Sequence, residues 1–355
     1  MIRAGIIGLG KMGVSHYAII NTHPDIHLVG VCDSTAFIVS TLGKMADIRT
    51  FKDYRKMIDQ CSLDCVIIST PTSTHAEMVR YAMENRINVF VEKPFCLDYE
   101  QGRELTGLAE QQNLVNQVGY QYRFVASFAR TRQLLEKRAI GKVYHFTAEA
   151  YGQVVVRPKV KTWRTKPTAG GGCLYDYASH VIDLVNYLLG PAQRVSGTVL
   201  KNVFSEDVCD AVYSTLLYDN GITGQLAVNW SDKTYRKMST QMEIYGDRGK
   251  IIADRQQCRV FLWDSGGFED MQEGWNIFYT TDLTKPAWFY LRGEEYSHQI
   301  DYFVDHIKNN QLENINSFAS ALLTDVIIDL LKTDAAQWSR NYGQDTVWRQ
   351  PVFRH

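Results

Sequence analysis

Lys93 and His180 are the two side chains whose settings best suit bond-making chemistry in this chain of 355 residues. Lys93 stands in Glu92-Lys93-Pro94, directly after the apolar run Val89-Phe90-Val91. A lysine at the carboxyl end of a parallel strand faces the crevice where such sheets bind ligands. There its ammonium stabilises negative charge growing on a substrate oxygen. Position alone equally fits a solvated strand-end lysine paired with an acid. His180 closes the segment Gly170-Gly171-Gly172-Cys173-Leu174-Tyr175-Asp176-Tyr177-Ala178-Ser179-His180. At ~100° per residue, Tyr177, Val181, Leu184, Val185 and Leu188 form one apolar stripe, with Asp176, His180 and Asp183 beside it. Asp176 and His180 are then neighbours across one helical turn. A carboxylate so placed holds or tunes an imidazole base. A satisfied structural histidine and a mixed Asp and His metal site remain open on the residues alone.

Other side chains are candidates for binding. Arg157, Lys159, Lys161, Arg164 and Lys166 crowd the loop before the glycines without an acid among them. Such a loop receives a phosphate or carboxylate, or is a solvated basic surface. The glycines give a mobile entry to a helix that stops near Gly190, where glycine suits a C-cap. His75 follows Thr70-Pro71 at a helix start and either lines a ligand crevice or is an ordinary first-turn residue.

A ligand for the crevice is named by glycines. Gly8, Gly10 and Gly13 follow the first apolar run, and Asp33 closes the next. The first glycine allows a tight strand-to-helix turn, the second lets a pyrophosphate approach the backbone, and the third lets helix pack on strand. The helix N-terminus supplies free N–H groups and partial positive charge. Asp33, about 20 residues on, accepts hydrogen bonds from a ribose diol. Its charge repels a 2′-phosphate, and Ser34 and Thr35 follow it rather than an arginine, so NAD is expected over NADP. Lys11, Met12, Ser34, Thr70, Pro71, His75, Glu92 and Lys93 complete the expected cofactor contacts.

These residues need a frame. Strand-like segments at 2–7, 27–33, 48–51, 64–69, 88–91 and 115–119 alternate with helical ones such as 74–85 and 98–112. That alternation builds a doubly wound parallel α/β sheet, a Rossmann-type domain over 1–121. From 122 to 355 the pattern changes. A helix over 126–138 precedes period-two strands at 142–151, 194–200, 211–218, 222–230, 241–245, 250–253 and 259–263. They predict an α+β domain with a largely antiparallel open sheet, one face under helices. Asp219-Asn220-Gly221 reads as a type I′ hairpin turn. Two helices beginning near Ser297 and Ser317 close the chain. Aromatic residues on the strands make the uncovered sheet face a contact for a homodimer or homotetramer.

Composition excludes several classes. Lys plus Arg number 38 and Asp plus Glu 39, so no bulk field favours nucleic acid or an anionic membrane. No apolar run approaches the ~18 residues of a membrane span. The chain enters a strand at once, without a signal-peptide pattern. Seven dispersed cysteines, with no completed ligand set around Cys61 and Cys65, read as reduced cytoplasmic thiols and predict no metal.

With Glu92-Lys93-Pro94 and the Gly170 to His180 segment in place, the chain resembles the glucose–fructose oxidoreductase/inositol dehydrogenase (Gfo/Idh/MocA) family. The likeness extends to the glycine fingerprint, Thr70-Pro71 with His75, Gly119-Tyr120-Gln121-Tyr122-Arg123-Phe124, Trp163-Arg164 and Asp183. The resemblance implies that Lys93, Asp176 and His180 converge at a nicotinamide ring, often with a cis Lys-Pro peptide. It implies an NAD-dependent oxidoreductase moving hydride between the cofactor and a secondary alcohol or ketone of a sugar, inositol or nucleotide-linked sugar. Lys93 would bond the reacting oxygen, His180 would move its proton, and Asp176 would position both. Arg123, Trp163, Arg164, Lys233 and Arg236 are then candidate substrate contacts, and the basic loop favours an anionic or nucleotide-linked sugar. A glycosidase-like oxidation–elimination enzyme and a non-catalytic NAD-binding regulator are the alternatives.

Overall fold

The computed structural model describes residues 1–35, 48–157, 162–264, 267, 268 and 270–342, the last five as backbone only. Two sheets organise them. The first has six parallel strands in the order β3-β2-β1-β4-β5-β6. These are β1 (Ile2–Ile7), β2 (Ile26–Cys32), β3 (Arg49–Phe51), β4 (Cys65–Ile68), β5 (Asn88–Val91) and β6 (Asn116–Val118). Helices cover both faces, so the central strands read as continuous apolar runs; every residue of β4 is buried.

Register decides where the chemistry lies. Ile7 pairs with Cys32 and with Ile68, Ile68 with Val91, and Val91 with Val118. The residues that follow form a row along the carboxyl edge: Asp33, Gly8, Ser69, Glu92 and Gly119. Each amide of that row bonds a carbonyl of a neighbouring strand, as in Ser69 N–H to Ile7 and Glu92 N–H to Ile68, both 2.8 Å. The glycine turn, the acidic strand end and the lysine turn therefore open onto one crevice.

The second sheet has eight strands in the order β14-β13-β12-β11-β7-β10-β9-β8. They are β7 (Val143–Tyr151), β8 (Arg194–Lys201), β9 (Ala211–Leu217), β10 (Thr223–Asn229), β11 (Ser239–Gly246), β12 (Gly249–Asp254), β13 (Gln257–Leu262) and β14 (Gly274–Tyr279). All pairs are antiparallel except β7 with β10. Alternate residues such as Phe146, Ala148 and Ala150 face a core shared with the helix Ser179–Leu189. The opposite face carries exposed Tyr213, Trp275, Ile277 and Tyr279. Among the described residues no helix is long and apolar enough to cross a membrane.

Three expectations need correction. The β9–β10 turn is not type I′, because only Gly221 has positive φ (87°) and Asn220 does not. Tyr218 N–H bonds Ile222 and Gly221 N–H bonds Tyr218, which makes the connection longer, with its left-handed residue last. Strand β14 was not anticipated; its one buried-side partner is β13, and half its residues face outward as an edge. The division at 121/122 is not clean either. Ile300, Phe303 and Val304 of the helix Glu294–Lys308 pack with Ile6, Phe90 and other residues of the first sheet. Phe318 stacks on Phe95, with ring centres 4.3 Å apart. The chain returns to finish the first unit, burying a sheet face that would otherwise meet water.

Candidate active site

The glycine turn is built for a close visitor. Gly8 has φ of 89°, and a β-carbon there would stand 2.9 Å from the Ser69 backbone. A β-carbon at Gly13 would lie 1.9 Å from the Gly8 carbonyl oxygen, so helix Lys11–Asn21 packs on the turn only with glycine. At Gly10 nothing lies within 4 Å of that position. The backbone is open toward the crevice there, which is the cradle a pyrophosphate requires. Asp33 is tied into the same turn. Leu9 N–H donates to Asp33 Oδ2 (2.6 Å) and Thr35 N–H to Oδ1 (2.7 Å). These bonds aim the carboxylate and leave a lone pair on each oxygen for a diol. The residues present fit a dinucleotide.

The lysine turn is held from below. The Lys93–Pro94 peptide is cis, as the resemblance implied. The His75 ring nitrogens lie 3.0 Å from the carbonyl oxygens of Pro94 and Thr70. Burial pushes the His75 imidazole below the usual histidine range. The ring is 1% exposed, so His75 lies beneath the crevice as a brace between two strand-end loops, not on its wall. Glu92 also turns inward. Its Oε1 lies 2.6 Å from His16 Nε2, and a β-carbon at Gly119 would crowd its carboxylate at 3.1 Å. This His16–Glu92 pair, which joins the cofactor-turn helix to the lysine strand, was not foreseen.

Lys93 points across the crevice to the second half of the chain. Its Nζ donates to Asp176 Oδ1 (2.8 Å) and to the Asp176 carbonyl (2.9 Å). Arg164 Nε donates to Asp176 Oδ2 (2.9 Å). Burial raises the Asp176 carboxyl's affinity for a proton, but the Lys93 and Arg164 charges outweigh it and hold the group well below the usual carboxylate range. Asp176 thus stays ionised between two cations.

His180 lies one step along the same helix. Residues Leu174–Ala178 form a π-helical turn before the regular helix Ser179–Leu189. The Asp176 carboxylate accepts its hydrogen bonds from Lys93 and Arg164 rather than from the imidazole, on which it acts through its charge alone. His180 instead packs on the Tyr122 ring, with centres 5.0 Å apart. Its buried Nδ1 has no partner. Burial first, then the Lys93 charge and to a lesser degree Arg255, hold it well below the usual histidine range against the opposing Asp176 charge. The imidazole is neutral at neutral pH and free to accept a proton.

The remaining candidates divide. Arg123 is buried and forms a bidentate pair with Asp183: Nε to Oδ2 3.0 Å, Nη2 to Oδ1 2.6 Å. Its other nitrogen donates to Ile315 and Ser320. The expectation of a substrate contact at Arg123 is corrected: the guanidinium ties the helix Ser179–Leu189 to Ile315 and Ser320 at the start of the last helix. Arg164 reaches the site and lies over Trp163, 4.6 Å from the ring centre. It shares the one Asp176 carboxylate with Lys93, so the three groups together keep a net positive charge. Lys159 and Lys161 lie outside the described residues. Lys233 rests over Phe204, and Arg236 is exposed. The glycines are not a loose entry: Gly170 to Gly172 are buried, and a β-carbon at Gly171 would stand 2.3 Å from the Arg164 carbonyl oxygen. They permit that close approach, which sets Arg164 against Asp176. The helix ends at Gly190, φ 81°, as expected.

A profile described as oxidoreductase family, NAD-binding Rossmann fold, matches residues 2–120, and one described as GFO/IDH/MocA C-terminal domain matches 128–252. The scyllo-inositol 2-dehydrogenase (NAD(+)) of Bacillus subtilis (strain 168) is 27% identical over 259 residues, covering 71% of this chain and 73% of that one. The D-glucoside 3-dehydrogenase of Escherichia coli (strain K12) is 27% identical over 241 residues, covering 62% and 68%. In fold, the chain is similar to a levoglucosan dehydrogenase solved in complex with NADH, with TM-score 0.84, 23% identity and coverage of 95% and 97%.

Proposed function

Because the chain belongs to the Gfo/Idh/MocA family of NAD-binding oxidoreductases, we propose that it is a dehydrogenase acting on a secondary alcohol of a sugar or inositol. The observation that carries this reading is the Lys93–Asp176 contact, which ties the crevice edge to the helix bearing His180. Gly8, Gly10 and Gly13 cradle the pyrophosphate and Asp33 takes the ribose diol. NAD, when bound, supplies the hydride acceptor at its nicotinamide. Lys93 donates a hydrogen bond to the substrate hydroxyl oxygen and lowers the energy of the forming alkoxide. His180, neutral, takes the hydroxyl proton, Nδ1 being buried and Nε2 the nitrogen left for the substrate. Asp176 fixes the Lys93 ammonium and stays ionised, so the cation is aimed rather than free. Run in reverse, the same residues protonate a ketone.

The Asp33 carboxylate favours NAD over NADP, since a 2′-phosphate would meet its charge. Exposed Tyr213, Trp275, Ile277 and Tyr279 on the outer sheet face favour a homodimer or homotetramer formed by sheet packing. Seven free thiols favour a reducing, cytoplasmic setting. The test is NADH absorbance over a panel of sugars, inositols and nucleotide-linked sugars. Net NADH formation with at least one neutral sugar or inositol is expected. Turnover without net NADH would point to transient oxidation followed by elimination, and no turnover with any of them would overturn the proposal.

A further inference from the structure

Glu92 is an acidic side chain set beneath the crevice edge rather than into the opening. It follows β5 and is 8% exposed. Two donors hold it. His16 Nε2 lies 2.6 Å from Oε1, and the Lys93 N–H donates to Oε2 at 3.3 Å. A carboxylate only accepts, so Nε2 carries the hydrogen. Gly119 leaves the space that the carboxylate fills, since a β-carbon there would lie 3.1 Å from it. Glu92 thus clamps the backbone amide of the residue whose ammonium meets Asp176 at 2.8 Å.

The other end of the clamp is the cofactor-turn helix. His16 stands three residues past Gly13 on the helix Lys11–Asn21. Its side chain is fully buried, with the ring edge-on to Phe90, centres 5.2 Å apart. Nδ1 is buried without a partner, so among the described residues Glu92 is the ring's single hydrogen-bond partner. The helix begins at Gly10 with no side-chain cap and no acid in its first turn. Its first amides are left for an anion. Whatever fixes that helix end therefore fixes His16, and His16 reaches the lysine turn through one side chain. Without the His16 donor, a buried carboxylate loses its partner and is driven toward water. Glu92 stands in the crevice-edge row, so that movement draws the Lys93 amide with it.

We propose that His16 is a positioning residue for Lys93, coupling occupancy of the dinucleotide cradle to the aim of the lysine ammonium. The inference rests on the dehydrogenase reading for the role of Lys93, and adds how the cofactor-turn helix acts on it.

The test uses His16→Leu, which removes the donor and keeps an apolar body, and His16→Gln, whose amide nitrogen stands near the place of Nε2. His16→Asn, too short to reach Glu92, repeats the deletion should the leucine variant not fold. The first readout is hydrogen exchange at the Lys93 amide with and without NAD, which needs no substrate. NAD is expected to slow that exchange in wild type and His16→Gln but not in the deletion variants, each of which still binds NAD by fluorescence titration. The second readout is the split between kcat and KM. In the deletion variants kcat should fall about tenfold with KM for NAD little changed, and His16→Gln should restore kcat. Slowing by NAD that survives in the deletion variants, wild-type kcat in them, or an equal loss in His16→Gln overturns the coupling and leaves the dehydrogenase reading standing. Slowing that follows the donor, with no NADH from any sugar, keeps the coupling and overturns the dehydrogenase reading.

Discussion

Replacing Asp176 by Asn tests the electrostatic design of the site. The wild-type carboxylate accepts from Lys93 Nζ at 2.8 Å and Arg164 Nε at 2.9 Å. Asparagine keeps one acceptor oxygen but removes the charge, leaving two cations facing each other across a largely buried site. Bonds to charged groups contribute roughly 1.5–3 kcal/mol each, and the exposed side of Arg164 screens part of its share. The net loss of stability should be about 2 kcal/mol, read as a shift in the denaturation midpoint. The catalytic effect should be larger. With its anchor gone, the Lys93 ammonium no longer stands where the alkoxide charge develops, and loss of one such preorganised donor costs about 10²–10³ in kcat. The assay is NADH formation with the best substrate, with NAD affinity measured separately by fluorescence. NAD binding should persist, because Asp176 lies off the glycine turn. A variant with wild-type kcat would refute the argument that Asp176 aims Lys93.

Other perturbations follow from the same geometry. Asp33→Ala should weaken NAD by about tenfold or more and relax its preference over NADP, since both the diol acceptor and the tie to Leu9 are lost; unchanged affinity measured by titration calorimetry would contradict that role. Burial, Lys93 and Arg255 depress His180, so alcohol oxidation should persist as pH falls through about 6.5 and fail only once the imidazole is protonated at lower pH; a break in kcat near the ordinary histidine value would contradict it. Asp325 is buried beside the lysine turn, where one oxygen accepts from Cys96 N–H and the other has no partner. Burial raises its carboxyl well above the usual range, so the fold favours the protonated form and loses stability as pH rises above about 4. Asp325→Asn should therefore raise Tm more at pH 8 than at pH 4, and a pH-independent difference would contradict it.

Legibility from sequence followed physical necessity. Gly8 and Gly13 were readable because the turn admits no other residue at 2.9 and 1.9 Å contacts. Lys93 was readable because strand order puts the end of β5 on the crevice edge. The convergence of Asp176 and Lys93 was implied by resemblance and is realised at 2.8 Å. What was hidden depended on distance or on local winding. Arg123 reads as a substrate contact until Asp183, 60 positions away, closes on it. The hydrogen bond expected between Asp176 and His180 gave way to Lys93 and Arg164, which reach the carboxylate from 83 and 12 positions away. Arg255 comes from a segment with no motif, and only tertiary packing brings it over the Tyr122 ring. The return of residues 294–308 to the first sheet was hidden because an apolar helix face does not name what it covers.

The central claim is that Lys93 and His180 address one substrate hydroxyl beside the bound cofactor. A crystal structure of the ternary complex with NAD and a non-turned-over sugar tests it directly. The account predicts one sugar hydroxyl within about 3 Å of both Lys93 Nζ and His180 Nε2, with its carbon facing the nicotinamide. A hydroxyl that touches only one of them, or a nicotinamide lying away from the end of β5, would contradict it.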